Sequence, residues 1–288
     1  MDFLAYKLVI APALVALATL AGRRWGNIAA GLVAGLPIVA GPILFFFAVE
    51  QGPLFATDAA MYTLLGVVSL CAFILAYAWR AWSGGSALSS LALGWVAFAL
   101  ATILINRIES GHGLTLFKAL IYALAALYLS LRSLPPEAVK GRAAATPPLP
   151  AGSAAVPEDG NNAEPAGPGP WDLPLRMAAA ALLVWILTAF AQRLGPRLGG
   201  LLTPFPVAST VLAVFAHRQG GSEAVRAVLK GLILALNAFA VFCAVLGMAL
   251  TAWGVLPSFS AALAATALVQ AVVVLYGPGR RTRAAAAA

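Results

Sequence analysis

The chain has 288 residues, 62% of them hydrophobic and 10% charged, with a formal net charge of +8. An apolar share well above the roughly 45–50% of soluble domains excludes an ordinary water-soluble fold. Most of the Lys and Arg residues flank apolar blocks, where they set membrane orientation, so the positive charge does not point to nucleic acid.

In chain order, nine apolar blocks run at 4–22, 28–48, 59–79, 86–106, 114–133, 174–192, 199–217, 227–249 and 257–276. Each is close to the roughly 20 residues with which a helix crosses the hydrocarbon core. Lipid offers no partner to a free backbone amide, so such spans must be helical, and the alternation of a barrel strand is absent. The expected fold is all-α: a polytopic membrane bundle of about nine transmembrane helices. The first block, with Lys7 before it and Ala18-Thr19-Leu20-Ala21 at its end, has features of a signal peptide. It is kept as a helix because LATLAGRRWG, from Leu17, has a counterpart in LTAFAQRLG, from Leu187, deep in the chain. Cys71 and Cys243 fall inside predicted spans, away from any CxxC or Cys/His spacing, and read as small buried thiols.

A constant offset of 169 residues aligns Thr19 with Thr188, Arg24 with Arg193, Gly26 with Gly195, Gly31 with Gly200, Leu32 with Leu201, Pro37 with Pro206 and Gly52 with Gly221. Glycine and proline matches carry weight because those residues have backbone consequences in a helix. Residues 1–110 and 174–288 are therefore read as two four-helix repeats, the second with a short basic tail. Residues 111–134 hold a linking transmembrane helix. A Pro/Ala/Gly-rich segment, 135–173, has the composition of a disordered, solvated linker.

Five spans before the second repeat place it in the opposite orientation, an inverted topology used by secondary transporters. Charge agrees. The side of the amino terminus collects Lys7, Arg107, Lys118, Arg193 and Arg197, five bases, whereas the other side collects thirteen, including Arg80, Arg132, Arg218, Arg226 and Lys230. The positive-inside rule puts the amino terminus outside, and the linker and carboxy terminus in the cytoplasm of a bacterial inner membrane. The expected 50–58 loop carries Glu50 and Asp58, and its counterpart at 217–230 carries Arg218, Arg226 and Lys230, as oppositely oriented copies would.

The second repeat, through Gly200-Leu201-Leu202, Phe205-Pro206 and Gly221-Ser222-Glu223-Ala224 with Arg226, resembles the small four-helix GlpM/YdgC family of bacterial inner-membrane proteins over about 174–276. The first repeat matches more loosely, through Gly31-Leu32, Leu36-Pro37 and Gly52, and lacks the basic loop residues. The resemblance implies a fused pair of units whose single-chain relatives include dual-topology proteins. It supplies no substrate.

Chemistry is sought where helices are interrupted. The second block reads Gly31-Leu32-Val33-Ala34-Gly35-Leu36-Pro37 and continues through Gly41-Pro42; the seventh reads Gly199-Gly200-Leu201-Leu202-Thr203-Pro204-Phe205-Pro206 and continues to Ser209-Thr210. Proline removes a backbone donor and frees an upstream carbonyl, and paired interruptions at matching places are a pointer to a transporter's central site. Small residues also serve close helix packing, which is the competing reading. The candidate substrate-binding residues are Gly35, Pro37, Gly41, Pro42, Thr203, Pro204, Pro206, Ser209, Thr210 and Asn237.

No carboxylate lies near the middle of a span, which disfavours proton coupling through a buried acid. Lys118 reads as a snorkelling side chain, Arg218 and Arg226 as interfacial anchors, and His112 and His217 as isolated surface histidines. No phosphate loop, HExxH or nucleophile elbow is present, so neither catalytic residue, metal site nor cofactor is expected and the chain is not read as an enzyme. The expected function is transport of a small solute of unknown identity between two inverted repeats. The alternative is a membrane accessory or scaffold protein of envelope or polysaccharide biosynthesis. The expected partners are the lipid bilayer, a small molecule, and either a second copy of the chain or an envelope-assembly component.

Overall fold

A computed structural model of the protein describes residues 37–109, 113–136 and 172–276. The expected span 4–22, the first part of 28–48, Gly35 and His112 lie outside these residues. Among the described residues the chain is all-helical: α1 (Ala40–Glu50), α2 (Pro53–Trp82), α3 (Ala87–Ile108), α4 (Leu116–Ser133), α5 (Asp172–Ala189), α6 (Ala191–Leu202), α7 (Val207–Trp253) and α8 (Val255–Tyr276). Five stretches are long and apolar enough to cross a membrane: α2, α3, α4, Gly220–Trp253 of α7 and Val255–Val273 of α8. Nine spans were expected. The described residues give fewer because 4–22 lies outside them, 28–48 contributes only the 11 residues of α1, the 199–217 block divides at a non-helical stretch, and the 174–192 block, in α5, is not among the five.

Local signals fix the helix ends. Gly52, at φ 96°, turns the chain into α2, and Pro53 opens that helix where its missing N–H has no intrahelical partner to lose. Ser86 caps α3 by accepting from the Ser89 amide at 3.2 Å. Thr115 does the same for α4 through Lys118 N at 3.3 Å. The 30 residues of α2 span about 45 Å, so its ends project beyond some 30 Å of hydrocarbon.

Two helices form the centre. In the most apolar stretches of α2 and Gly220–Trp253, 67% of residues are buried within the protein, against 22% in α3, α4 and α8. The outer faces of those three helices present Leu100, Ile103, Phe117, Leu129, Leu256 and Leu268 to the surroundings. Apolar surface on this scale suits lipid rather than water.

Contacts at one end set the directions. Trp79, near the end of α2, donates through Nε1 to Ser133 O, while Arg226, early in Gly220–Trp253, donates through Nε to Pro135 O. The end of α2 and the start of the second central helix therefore lie together, and the two run antiparallel. α3 returns along α2, with Phe73 against Gly94. α4 runs beside α2 from Leu116, which packs on Gly247, to Ser133. Beyond the kink at Gly195, residues 196–219 form a further segment of the bundle parallel to α2, touching Tyr62 through Arg197, Gly66 through Pro204 and Tyr77 through His217.

The expected 217–230 and 50–58 loops are much shorter in the structure. The chain reverses at Gly220 and Gly221, and helix resumes at once, so Arg226 and Lys230 sit in helical turns. Asp58 likewise lies within α2. A helix need not stop where hydrocarbon does, because basic side chains can reach water from its last turns. Gly52 (φ 96°, ψ 162°) and Gly221 (φ 60°, ψ −153°) share a backbone region reserved for glycine, 169 residues apart.

Candidate functional site

The interrupted block is a true break. α6 ends at Leu202 and α7 begins at Val207, with residues 203–206 between them. The break sits at mid-depth: a Cβ on Gly66, the fourteenth of 30 residues in α2, would lie 2.6 Å from both Leu201 O and Pro204 Cγ. Glycine is therefore required for α2 to approach this closely.

The carbonyls freed by the two prolines find partners inside the protein. Pro204 cannot donate to Gly200 O, which instead accepts from Thr203 N at 3.1 Å and lies 3.2 Å from Thr63 Oγ. The Thr63 hydroxyl has one proton to divide between Gly200 O and Ala59 O, 2.7 Å away. Pro206 cannot donate to Leu202 O, which accepts from Phe205 N at 3.0 Å. The Thr203 hydroxyl is turned back onto Gly199 O at 2.7 Å, so it does not project from the break. Thr210, one turn into α7, accepts from Trp95 Nε1 at 3.1 Å, and Phe205 packs against both Trp95 and Phe98. The buried Ser209 belongs to the same stretch.

The other candidates rest elsewhere. Pro37 accepts from Gly41 N at 2.8 Å, at the entry to α1, and a Cβ on Gly41 would face the Phe242 ring of α7 at 3.9 Å. Pro42 is buried in the first turn of α1. Asn237 is spent on its own helix, Nδ2 donating to Ile233 O at 3.0 Å and Leu234 O at 3.3 Å. The structure thus brings Thr203, Pro204, Pro206, Ser209 and Thr210 together against α2 and α3, and sets Pro37, Gly41 and Pro42 against α7. Among the described residues no hydrogen bond joins the two clusters.

Two hydroxyls missed by sequence reasoning lie near the depth of the break. Ser69, one turn beyond Gly66, is fully buried and its Oγ has no hydrogen-bond partner. Thr102 is 7% exposed and its Oγ also lacks a partner. Ser90, Gly94, Phe98 and Thr102 are the buried residues of α3 and recur every four positions, so Thr102 is on the face that meets Phe73 and Phe205. Counting from the Phe73 and Gly94 contact along antiparallel helices, Thr102 falls at the depth of Leu65. A membrane-helix hydroxyl ordinarily bonds the carbonyl four residues back, as Thr63, Thr203 and Thr266 do here. Thr57, Ser69 and Thr102 do not, and of these Ser69 and Thr102 fall near the depth of the break.

Charged and titratable groups lie toward the ends. Arg197 stacks over Tyr62 at 5.7 Å and donates through Nη2 to Asn106 O, capping the last turn of α3. Lys118 is exposed and its Nζ reaches Gly113 O at 3.3 Å, as a snorkelling lysine would. Arg226 is half-buried, and its bond to Pro135 O makes it a tie as well as an anchor. His217 is not an isolated surface histidine: half-buried, its Nδ1 is 3.5 Å from the Tyr77 hydroxyl, across 140 residues of sequence. Cys71 and Cys243 are buried free thiols. Among the described residues no group of three or more His, Cys, Asp or Glu side chains is placed to hold a metal ion. In comparisons with known proteins, no family model, curated sequence or solved structure matches the chain.

Proposed function

We propose that the chain is a small-solute transporter of two inverted four-helix units, with a central site at the depth of the residue 203–206 break. The observation that carries this reading is a mid-depth helix break with the orphaned hydroxyls of Ser69 and Thr102 near the same depth on the neighbouring helices. Non-helical backbone at membrane depth is tolerated where it is buried in protein or lines a cavity. Donors and acceptors without charge suit a neutral, hydrogen-bonding solute.

Three features support the repeat. α1 and α2 correspond to the two parts of α7 at the 169-residue offset, with Gly52 and Gly221 at the reversals. The corresponding central helices run antiparallel, as inversion demands. Exchange contacts are reciprocal: α1 packs on α8 through Phe45 and Phe259, and the first part of α7 packs on α3 through Thr210 and Trp95. The GlpM/YdgC resemblance enters as the proposed origin of the unit, and the cytoplasmic linker as the proposed orientation. Cysteines at Leu54 and Ala154 are expected to react with impermeant reagents from opposite sides; labelling of both from one side would overturn the inverted arrangement.

The scaffold reading has its own support, since the freed carbonyls are paired internally and Gly66 and Gly200 pack tightly. Reconstituted flux separates the two. Ser69→Ala, Thr102→Val and Pro206→Ala should each alter flux or saturable binding per folded molecule of a set of neutral polyols and amides. Unchanged flux per folded molecule in all three variants, or no flux of any tested solute with partner-dependent co-purification, would favour the scaffold.

A further inference from the structure

The end of the bundle where α2 finishes carries an aromatic and basic rim that the transport reading does not use. Trp79 and Trp82 meet edge to face at 5.4 Å, 45% and 46% exposed. Trp79 Nε1 donates to Ser133 O at 2.8 Å and fixes the end of α4 beside it. Next to Ser133, the exposed Arg132 holds its guanidinium 5.6 Å over the Tyr128 ring, with Nε donating to the Tyr128 hydroxyl at 3.2 Å. Its two terminal nitrogens have no partner among the described residues. Toward mid-membrane, α4 continues as an exposed apolar face through Leu129 and Leu124.

We propose that this rim binds the head group of an anionic phospholipid, the Arg132 guanidinium taking the phosphate and the acyl chains lying along α4. Charge complementarity selects the occupant. Described residues at this end include six bases, Arg80, Arg132, Arg176, Arg218, Arg226 and Lys230, against two acids, Asp172 and Glu223, whereas the opposite end has four bases against three acids. Stacking on Tyr128 orients the guanidinium fork, and tryptophans at its side suit the water–lipid boundary. A soluble anion would leave the adjoining apolar face unused; a lipid fits both. Because the end of α4 is tied to α2 by Trp79 and to α7 by Arg226, a lipid held there also braces the seam between the two central helices.

The test uses the full chain in uncharged detergent, titrated with dioleoyl phosphatidylglycerol, dioleoyl phosphatidylcholine or inorganic phosphate, with binding read by native mass spectrometry and stability by thermal denaturation. Phosphatidylglycerol is expected to bind more tightly than phosphatidylcholine, to raise Tm, and to resist displacement by millimolar phosphate. Arg132→Gln should weaken it about fivefold, the effect of one basic side chain at an anionic surface. Arg107→Gln, exposed at the opposite end, should leave it unchanged. Arg132→Lys keeps the charge but loses the stacked fork, so its binding should fall between wild type and Arg132→Gln, and it provides a folded variant should Arg132→Gln not accumulate. Equal binding of the two lipids, displacement by phosphate, or the same loss in Arg107→Gln as in Arg132→Gln would each overturn the proposal.

Discussion

Beyond the kink at Gly195 (φ 68°), the stretch to residue 253 is interrupted twice more, and these two interruptions are maintained in different ways. At residues 203–206 the chain keeps its direction, and neighbours enclose the break: Gly66 beneath Pro204, Thr63 beside Gly200, Phe98 and Trp95 around Phe205. At Gly220 and Gly221 the chain reverses, and a Cβ on Gly221 would meet nothing within 4 Å. The first is held by tertiary packing and the second by the backbone of one residue. Proline and glycine in an apolar run therefore have two meanings, and only the surroundings tell them apart.

The largest expected effect tests the packed break. Gly66→Val would drive a branched side chain into Leu201 O and Pro204, so a loss of about 3 kcal/mol or more, seen as little folded protein in detergent, is expected. A variant that kept wild-type Tm would mean that α2 does not press on the break. Next come the reversals. Gly221→Ala and Gly52→Ala have space for a methyl group but the wrong backbone angles, and each should cost about 1–3 kcal/mol. Similar losses in thermal denaturation would sharpen the correspondence between the two turns; a free substitution at either would break it.

A smaller change is expected for Thr63→Val, which removes the hydroxyl shared by Ala59 O and Gly200 O. About 1 kcal/mol is anticipated, with the shape of the helix pair preserved. The smallest is Tyr77→Phe. Its 3.5 Å contact with His217 is long, so a loss of about 0.5 kcal/mol would suffice, detectable as a Tm shift of a degree or two.

The all-helical, apolar character was legible because membrane helices announce themselves by length and apolarity, and glycine at positions 52 and 221 marked two turns because it is needed for their backbone conformation. What could not be read was distance. Tyr77 and His217, or Arg197 and Asn106, are far apart in sequence, and no periodicity joins them. Ser69 sits in Leu65-Gly66-Val67-Val68-Ser69-Leu70 as one small polar residue in an apolar run, indistinguishable from a serine satisfied by its own helix. Its orphaned hydroxyl becomes visible only when the burial and partners of that atom are known. Thr203 errs the other way: the motif advertises a free hydroxyl, but the side chain closes on Gly199 O. The expected 217–230 loop failed for a third reason, since a drop in hydropathy at Arg226 and Lys230 marks the edge of the hydrocarbon and not the end of a helix.

The double tie at the end of α4 bears on how the protein could be divided. α4 belongs by covalent connection to the first half, yet Arg226 of the second half fastens to Pro135 just beyond it, and Pro204 of the second half nests on Gly66 of the first. A covalent join between the halves raises their effective concentration, an entropic service that two separate polypeptides can forgo once confined to one membrane. Fragments ending before the linker and beginning after it carry complementary halves of both seams, so severing the chain there should leave a pair able to find each other and reassemble.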